Sequence, residues 1–250
     1  MSARPRPEDY WNRNIGEWGR LYLNLSHSGE ALDAPGWLRV LYRHTVIPIE
    51  ARLMAERFRL TMEFIARNVR ADMTVVDVGC GTGIFTVELL RRGATVKAVD
   101  YAPRALELTQ ALVEKLLPQR ACAAEYLLRD VTRERLPDSD LVIAMGVTPY
   151  VEDLAAFYAN ILPTTRMFYC LVLDPRHWAN RVRSLLPVLN VRRLHWFERS
   201  LVDSLLERHG WKLVERRKFA SGYLDAAVRP ARGETDAPGS QGRSPRCPHG

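Results

Sequence analysis

The spacing of apolar and polar positions changes period repeatedly along the chain, and each change marks an element. From Pro48 to Arg70 apolar residues recur three or four apart, at Ile49, Leu53, Phe58, Met62, Ile65 and Val69. That spacing predicts a helix opening at a proline, a residue suited to a first turn. Met73 to Val78 is a short β-branched run stopped by Gly79, which predicts a buried strand. Ile84 to Arg92 returns to helical spacing and ends at Gly93, and Thr95 to Val99 is a second strand run leading to Asp100. Pro103 to Leu117 reads as a helix closed by Pro118, Glu125 to Arg129 as a third strand and Leu141 to Met145 as a fourth. A helix from Val151 to about Leu162 and a fifth strand from Met167 to Leu173 complete the series. Strands alternating with helices of this length predict βαβ units, hence an α/β fold with a doubly wound, mostly parallel sheet.

The remaining segments follow other patterns. Asp174 to Trp196 is rich in Arg, Leu and Pro and reads as an irregular insertion. Ser200 to His209 predicts a helix ending at Gly210, and Trp211 to Ala220 with Tyr223 to Val228 predicts a closing antiparallel hairpin, making seven strands. The first 45 residues carry Tyr10, Trp11, Trp18, Tyr22, Trp37 and Tyr42 among glycines and a proline, which suggests short helices and loops. The domain organisation expected is an N-terminal helical lid over residues 1–70 and a main domain over 71–228, with 174–196 capping the substrate. The Pro-, Gly-, Ser- and Arg-rich residues 229–250 are expected to form a disordered tail.

Composition narrows the class. The chain has 250 residues, 47% of them hydrophobic and 26% charged, values that exclude fibrous and wholly disordered proteins. No apolar stretch approaches the roughly 20 residues that span a bilayer, so no membrane span is expected. The N-terminus has no apolar core behind its arginines, which speaks against a secretory signal. Cys80, Cys122, Cys170 and Cys247 form no closely spaced pair. Reduced thiols in the cytoplasm, with no metal site, are therefore the expectation. The net charge of +7 raises the question of nucleic acid, but only four of the 36 basic residues are lysine (Lys97, Lys115, Lys212, Lys218). That skew, and the scatter of the arginines, fit a solvated basic surface better than a nucleic-acid footprint. Nothing in the sequence speaks to the oligomeric state.

The chemistry concentrates at Val75-Val-Asp-Val-Gly-Cys-Gly-Thr-Gly83, a strand run into glycines at every second position and then a helix. Such glycines allow a ligand close approach to the backbone, and the helix behind offers free N–H groups. Asp100, at the end of the second strand, is placed to take both hydroxyls of a ribose. Each piece also has a plain reading: the glycines as a tight turn, Asp100 and Asp130 as caps. A dinucleotide-binding fingerprint requires Gly or Ala where this chain has Ile84, which opposes a nucleotide-dependent oxidoreductase.

On these residues the chain resembles the class I S-adenosylmethionine-dependent methyltransferases of the small-molecule branch, from about Met73 to Phe219. The resemblance implies a Rossmann-like seven-stranded domain, S-adenosyl-L-methionine as cofactor and methyl transfer as activity. It assigns Asp77, Gly79, Cys80, Gly81, Thr82 and Gly83 to the cofactor loop, Asp100 to the ribose and Tyr101 to the neighbourhood of the adenine. It also assigns Asp130 and Val131 to the adenine amino group and ring, and Met145 to the methionine end. Leu205-Leu-Glu-Arg-His-Gly-Trp-Lys-Leu-Val214 is similar to the family's C-terminal ending. The N-terminal aromatics would suit a lid facing a sulfonium.

Catalytic candidates lie on loops after the strands. Tyr150 follows the fourth strand and would orient an acceptor. His177 follows the fifth and would serve as a general base, with His195 a weaker candidate. Packing and surface positions are the plain readings of all three. Val147-Thr-Pro-Tyr150 departs from the Pro-Pro-Tyr/Phe motif of DNA amino methyltransferases, and no cysteine follows a proline as in cytosine C5 enzymes. Gly146 to Leu154 looks more like quinone-pathway, magnesium-porphyrin and natural-product O-methyltransferases. The partner implied is a small-molecule methyl acceptor, with O-methylation favoured. N- or C-methylation and a non-catalytic S-adenosylmethionine-binding protein are the alternatives.

Overall fold

The computed structural model describes residues 36–185 and 194–230. Its first element is a long helix, α1 (Gly36–Asn68), followed by β1 (Thr74–Val78), α2 (Ile84–Arg91), β2 (Thr95–Asp100) and α3 (Pro103–Leu116). Then come β3 (Ala124–Leu128), β4 (Leu141–Ala144), α4 (Leu154–Ile161), β5 (Met167–Leu173) and α5 (Trp178–Leu185). The chain closes with α6 (Arg199–Arg208), β6 (Lys212–Phe219) and β7 (Gly222–Val228). The seven strands form one sheet in the order β3-β2-β1-β4-β5-β7-β6. The first five are parallel, while β7 runs antiparallel to both β5 and β6. This is the expected α/β sheet with its C-terminal hairpin. Its strand order reverses between β1 and β4, the place where open α/β sheets bind ligands.

Alternation along the strands builds a core on each face. Val75, Leu141, Ile143, Tyr169 and Leu171 point to one side, against Leu60, Phe64 and Ile65 of α1, Leu89 and Leu90 of α2 and Val113 of α3. Val76, Val78, Val142, Ala144, Phe168 and Cys170 point to the other, against Phe157, Tyr158 and Ile161 of α4 and Val202, Leu205 and Leu206 of α6. Phe64 stacks on Tyr169 with ring centroids 3.8 Å apart, which fixes α1 on the sheet.

Two elements differ from the sequence reading. The helix expected to open at Pro48 begins at Gly36 and carries Pro48 inside it. Pro48 and His44 are both exposed, so the carbonyl that loses its donor can be hydrated, and the helix continues. The stretch 174–196, read as irregular, contains α5. Its apolar residues Trp178, Val182 and Leu185 do follow helical spacing, but all three are exposed, so the helix is not defined by a buried face. Tyr10, Trp11, Trp18 and Tyr22, the start of the expected lid, residues 186–193 and the tail beyond 230 lie outside the described residues. Among the described residues no helix is long and apolar enough to cross a membrane.

Candidate functional site

Between β1 and α2 the chain turns through Gly79, Gly81 and Gly83, whose φ values are 67°, 59° and 82°. These left-handed angles are why glycine recurs at every second position. Gly79 and Cys80 donate their N–H groups to the Val99 carbonyl at 2.7 and 3.2 Å, tying the turn to the end of β2. Gly83 N–H donates to the Cys80 carbonyl at 2.8 Å. Behind the turn, the Thr109 hydroxyl of α3 donates to the Gly81 carbonyl at 3.2 Å. A Cβ on Gly79 would lie 2.3 Å from Cγ2 of Val147, so the loop after β4 closes directly on this glycine. Burial first, then the Asp100 and Asp77 charges, push the Cys80 thiol well up. It is a neutral packing group, and Thr82 beside it is half-buried.

Two carboxyls support the turn. Asp77, next to the carboxyl end of β1, is 1% exposed and accepts a 2.6 Å hydrogen bond from the Thr86 hydroxyl of α2. Burial pushes its carboxyl up to about 6, against the pull of the Thr86 hydrogen bond, and the nearby Asp100 charge adds to the rise. Asp100, at the tip of β2, accepts from Ala102 N–H at 3.0 Å on Oδ1 and from Gly81 N–H at 3.2 Å on Oδ2. Burial raises its pKa as well, while the backbone N–H groups of Ala102, Gly81 and Tyr101 pull it down. The two oxygens of a carboxylate offer about four acceptor sites, so these backbone donors do not exhaust Asp100.

The other sequence-predicted residues are spread around the same carboxyl ends. Tyr101 is half-buried beside Asp100. Asp130 follows β3, where its Oδ1 accepts from both the N–H and the hydroxyl of Thr132, at 3.0 and 2.6 Å, and its Oδ2 lies 3.3 Å from Arg133. It therefore makes the local turn that was its plain reading. Val131 is buried in the core on the α4 face, and Met145, just past β4, in the core on the α1 face. Tyr150 is half-buried at the end of a short 3-10 turn, Thr148–Tyr150. His177 Nδ1 accepts the Ala179 N–H at 3.3 Å, capping α5. The backbone N–H of His195 donates to the Pro149 carbonyl at 2.7 Å, which brings the chain back beside Tyr150.

Two contacts of the crevice were not given by the sequence, although Gly146 and Val147 lie in the stretch after the fourth strand run that it singled out. Val147 bears on Gly79, as described. Gly146 has φ 87°, and a Cβ there would lie 2.6 Å from Nη1 of Arg57 in α1. The link between residues 57 and 146 appears only once α1 is laid across the sheet.

A family described as a methyltransferase domain matches residues 51–216, about two thirds of the chain. The chain belongs to this methyltransferase-domain family. S-adenosyl-L-methionine, the expected methyl donor, is the one that goes with it. Among its relatives, the mitochondrial ubiquinone biosynthesis O-methyltransferase of Schizosaccharomyces pombe is 27% identical over 75% of this chain and 71% of its own length. The magnesium-protoporphyrin O-methyltransferase of Rhodobacter capsulatus is 39% identical over 30% of this chain, and the match takes in only 33% of that relative. Among solved structures, magnesium protoporphyrin IX methyltransferase from Synechocystis, with bound SAH, superposes with a TM-score of 0.68. It covers 89% of this chain and 98% of its own at 15% identity, a likeness of fold.

Proposed function

We propose that this methyltransferase acts on the oxygen of a small-molecule acceptor, with the cofactor seated at the reversal of strand order between β1 and β4. The observation that carries the reading is the turn at Gly79–Gly83. Three left-handed glycines, clamped to Val99 and Thr109 and closed on by Val147, form a turn of bare backbone, and Asp100 stands at its edge. The donor set fits the group. A buried carboxylate at the end of the second strand suits ribose hydroxyls, and the turn presents backbone to the ligand rather than side chains. The turn residues Gly79 to Gly83 and Asp100 would hold the cofactor, with Asp77 bracing the turn through Thr86. Tyr101, Val131 and Met145 would supply apolar walls, and the local role of Asp130 weakens its part in holding the adenine.

When bound, S-adenosylmethionine supplies a methyl group already activated on a sulfonium. The chain's own residues then have to align the acceptor oxygen and exclude water. Tyr150, half-buried at the end of its turn, would orient the acceptor. A proton must leave only if the oxygen arrives protonated. His177 is poorly set for that task. With Nδ1 accepting from Ala179, the neutral ring carries its proton on Nε2, where it is a donor. The O-methyl preference rests on the two relatives whose names carry it.

Calorimetric titration with S-adenosylhomocysteine and NADH, on the full chain and on Asp100→Ala, tests the cofactor half of this reading. The expected result is binding of S-adenosylhomocysteine alone, weakened by roughly 1–3 kcal/mol in the variant, as loss of a charged hydrogen-bond acceptor predicts. Absence of S-adenosylhomocysteine binding to the unmodified chain would refute it. Turnover of a phenolic acceptor, with label from the methyl donor recovered in an ether, tests the other half.

A further inference from the structure

Before entering α6 the chain returns to the sheet as a short strap, residues 194–197, laid across the carboxyl ends of β4 and β5. The backbone N–H of His195 donates to the Pro149 carbonyl at 2.7 Å, and that of Phe197 to the Leu173 carbonyl at 2.9 Å. The base under these bonds is firm, because the fully buried Thr148 donates its hydroxyl to the Leu171 carbonyl and ties the loop after β4 to β5. N–H groups two residues apart reach one edge where the chain is extended, and side chains alternate along such a chain. Phe197 packs against the core on the α4 face. Trp196, held between the two bonds, is therefore turned to the opposite side, the side on which α1 crosses the sheet. Trp196 is half-buried there. Trp211 is buried in the core under Arg229, and Trp178 is exposed beside His177. Trp196 differs from both: among the described residues it has no ring, cation or hydrogen-bond partner.

The position of the strap gives this tryptophan a task. With the cofactor seated at the β1–β4 reversal, the next gap along the carboxyl edge is the one between β4 and β5, and the strap stands over it. A second reactant placed beside the cofactor meets the strap there. Backbone bonds on both neighbours of Trp196 fix the root of the side chain, so little freedom is lost when a ligand settles on it. An indole presents a broad, flat, apolar face, and another ring laid on that face gains more than its buried area alone supplies. A puckered ring of the same size forgoes that gain. We propose that Trp196 is a specificity-determining residue for the acceptor, which it selects by stacking on a planar aromatic ring. This rests on the reading that S-adenosylmethionine binds at the β1–β4 reversal. It narrows the acceptor of that site to an aromatic compound and assigns the strap, far from the glycine motif in sequence, to its recognition.

The test compares the full chain with Trp196→Leu and Trp196→Phe by titration calorimetry. S-adenosylhomocysteine is titrated first. Protein saturated with it then receives 2-naphthol or decahydro-2-naphthol, which share a carbon skeleton and a hydroxyl and differ in planarity. The unmodified chain is expected to bind 2-naphthol more tightly than the puckered alcohol by about twofold to tenfold. Trp196→Leu keeps an apolar side chain and removes the preference, while Trp196→Phe keeps part of it. Affinity for S-adenosylhomocysteine is expected to be the same in all three proteins. A preference that survives Trp196→Leu, or an unmodified chain that shows none, overturns the proposal. So does a variant that weakens S-adenosylhomocysteine and both alcohols alike, the mark of a tryptophan that only props the strap. Failure of the unmodified chain to bind S-adenosylhomocysteine would instead overturn the cofactor reading, and this inference with it.

Discussion

Asp77→Asn isolates the energetic consequence of placing a carboxyl inside β1. The Asp77 side chain is 1% exposed, and its pKa stands at about 6 against an ordinary value of 3.8, chiefly because burial penalises the charged form. A carboxyl that binds its proton more tightly in the folded state favours folding fully at pH below about 4. That contribution is then lost as pH rises toward 6 and is absent above it. At about 1.4 kcal/mol per pH unit, the difference between the two values corresponds to about 3 kcal/mol. Asn can keep the acceptor for the Thr86 hydroxyl but carries no charge, so the variant lacks this pH dependence. Whatever its amide gains or loses by packing is the same at every pH. Urea unfolding of both proteins from pH 4 to pH 8 is the measurement. The variant is expected to gain on the unmodified chain through pH 4 to 6.5 by about 3 kcal/mol and then hold a constant lead, roughly 6–12 °C in Tm for a domain of this size. Parallel stability curves across that range would refute the account of a buried charged carboxylate under the glycine turn.

Two further substitutions probe the crevice. Gly79→Ala places a Cβ at φ 67° and 2.3 Å from Val147, and is expected to cost about 1–3 kcal/mol in stability. Adding Val147→Ala should restore the steric share but not the backbone share, so full recovery in thermal unfolding would contradict the φ argument. At His177, Asn can keep a side-chain cap on α5 while Ala cannot. His177→Ala should lower stability by about 1 kcal/mol and His177→Asn by less, with both retaining methyl transfer, whereas loss of transfer in both would restore the histidine as a base.

The parts legible in the sequence are those in which a local pattern and the tertiary role coincide. Met73 to Val78 reads as a strand because it is buried on both faces, and Gly79 to Gly83 reads as a turn because its backbone angles exclude other residues. Asp100 is legible from its place after the second strand run. What escaped has its cause elsewhere in the chain. The start of α1 was hidden by Pro48, a residue that opens helices more often than it sits inside them. Arg57 and Val147 look like any helix-face arginine and loop valine until Gly146 and Gly79 are brought against them. His177 was legible as a residue on a loop after a strand, but its hydrogen bond to Ala179 depends on a helix whose large apolar residues are exposed and whose buried residue is the polar Asn180.

The geometry also accounts for how the segment after β5 sits on this sheet without disturbing it. The residues after β5 leave from a firmly held point. Asp174 donates its N–H to the Ser221 carbonyl at 2.9 Å and accepts from Arg176 N–H and the Tyr223 hydroxyl, both at 2.8 Å. Asn180 Nδ2 donates to the carbonyls of Asp174 and Ser221 at 2.8 and 2.9 Å, tying α5 to the same corner. Tyr223 is itself framed by cations, with Arg199 4.9 Å and Arg216 5.8 Å from its ring. Arg216 in turn bridges Asp225 of β7 and Asp203 of α6 at 2.7 and 2.8 Å. The chain returns at an equally fixed point, where Phe197 N–H donates to the Leu173 carbonyl at 2.9 Å and His195 N–H to Pro149. Both ends of the insertion are thus fastened to the carboxyl ends of β4, β5 and the hairpin, beside the crevice. Residues between them can change without loosening the sheet, because the bonds that anchor them belong to the frame.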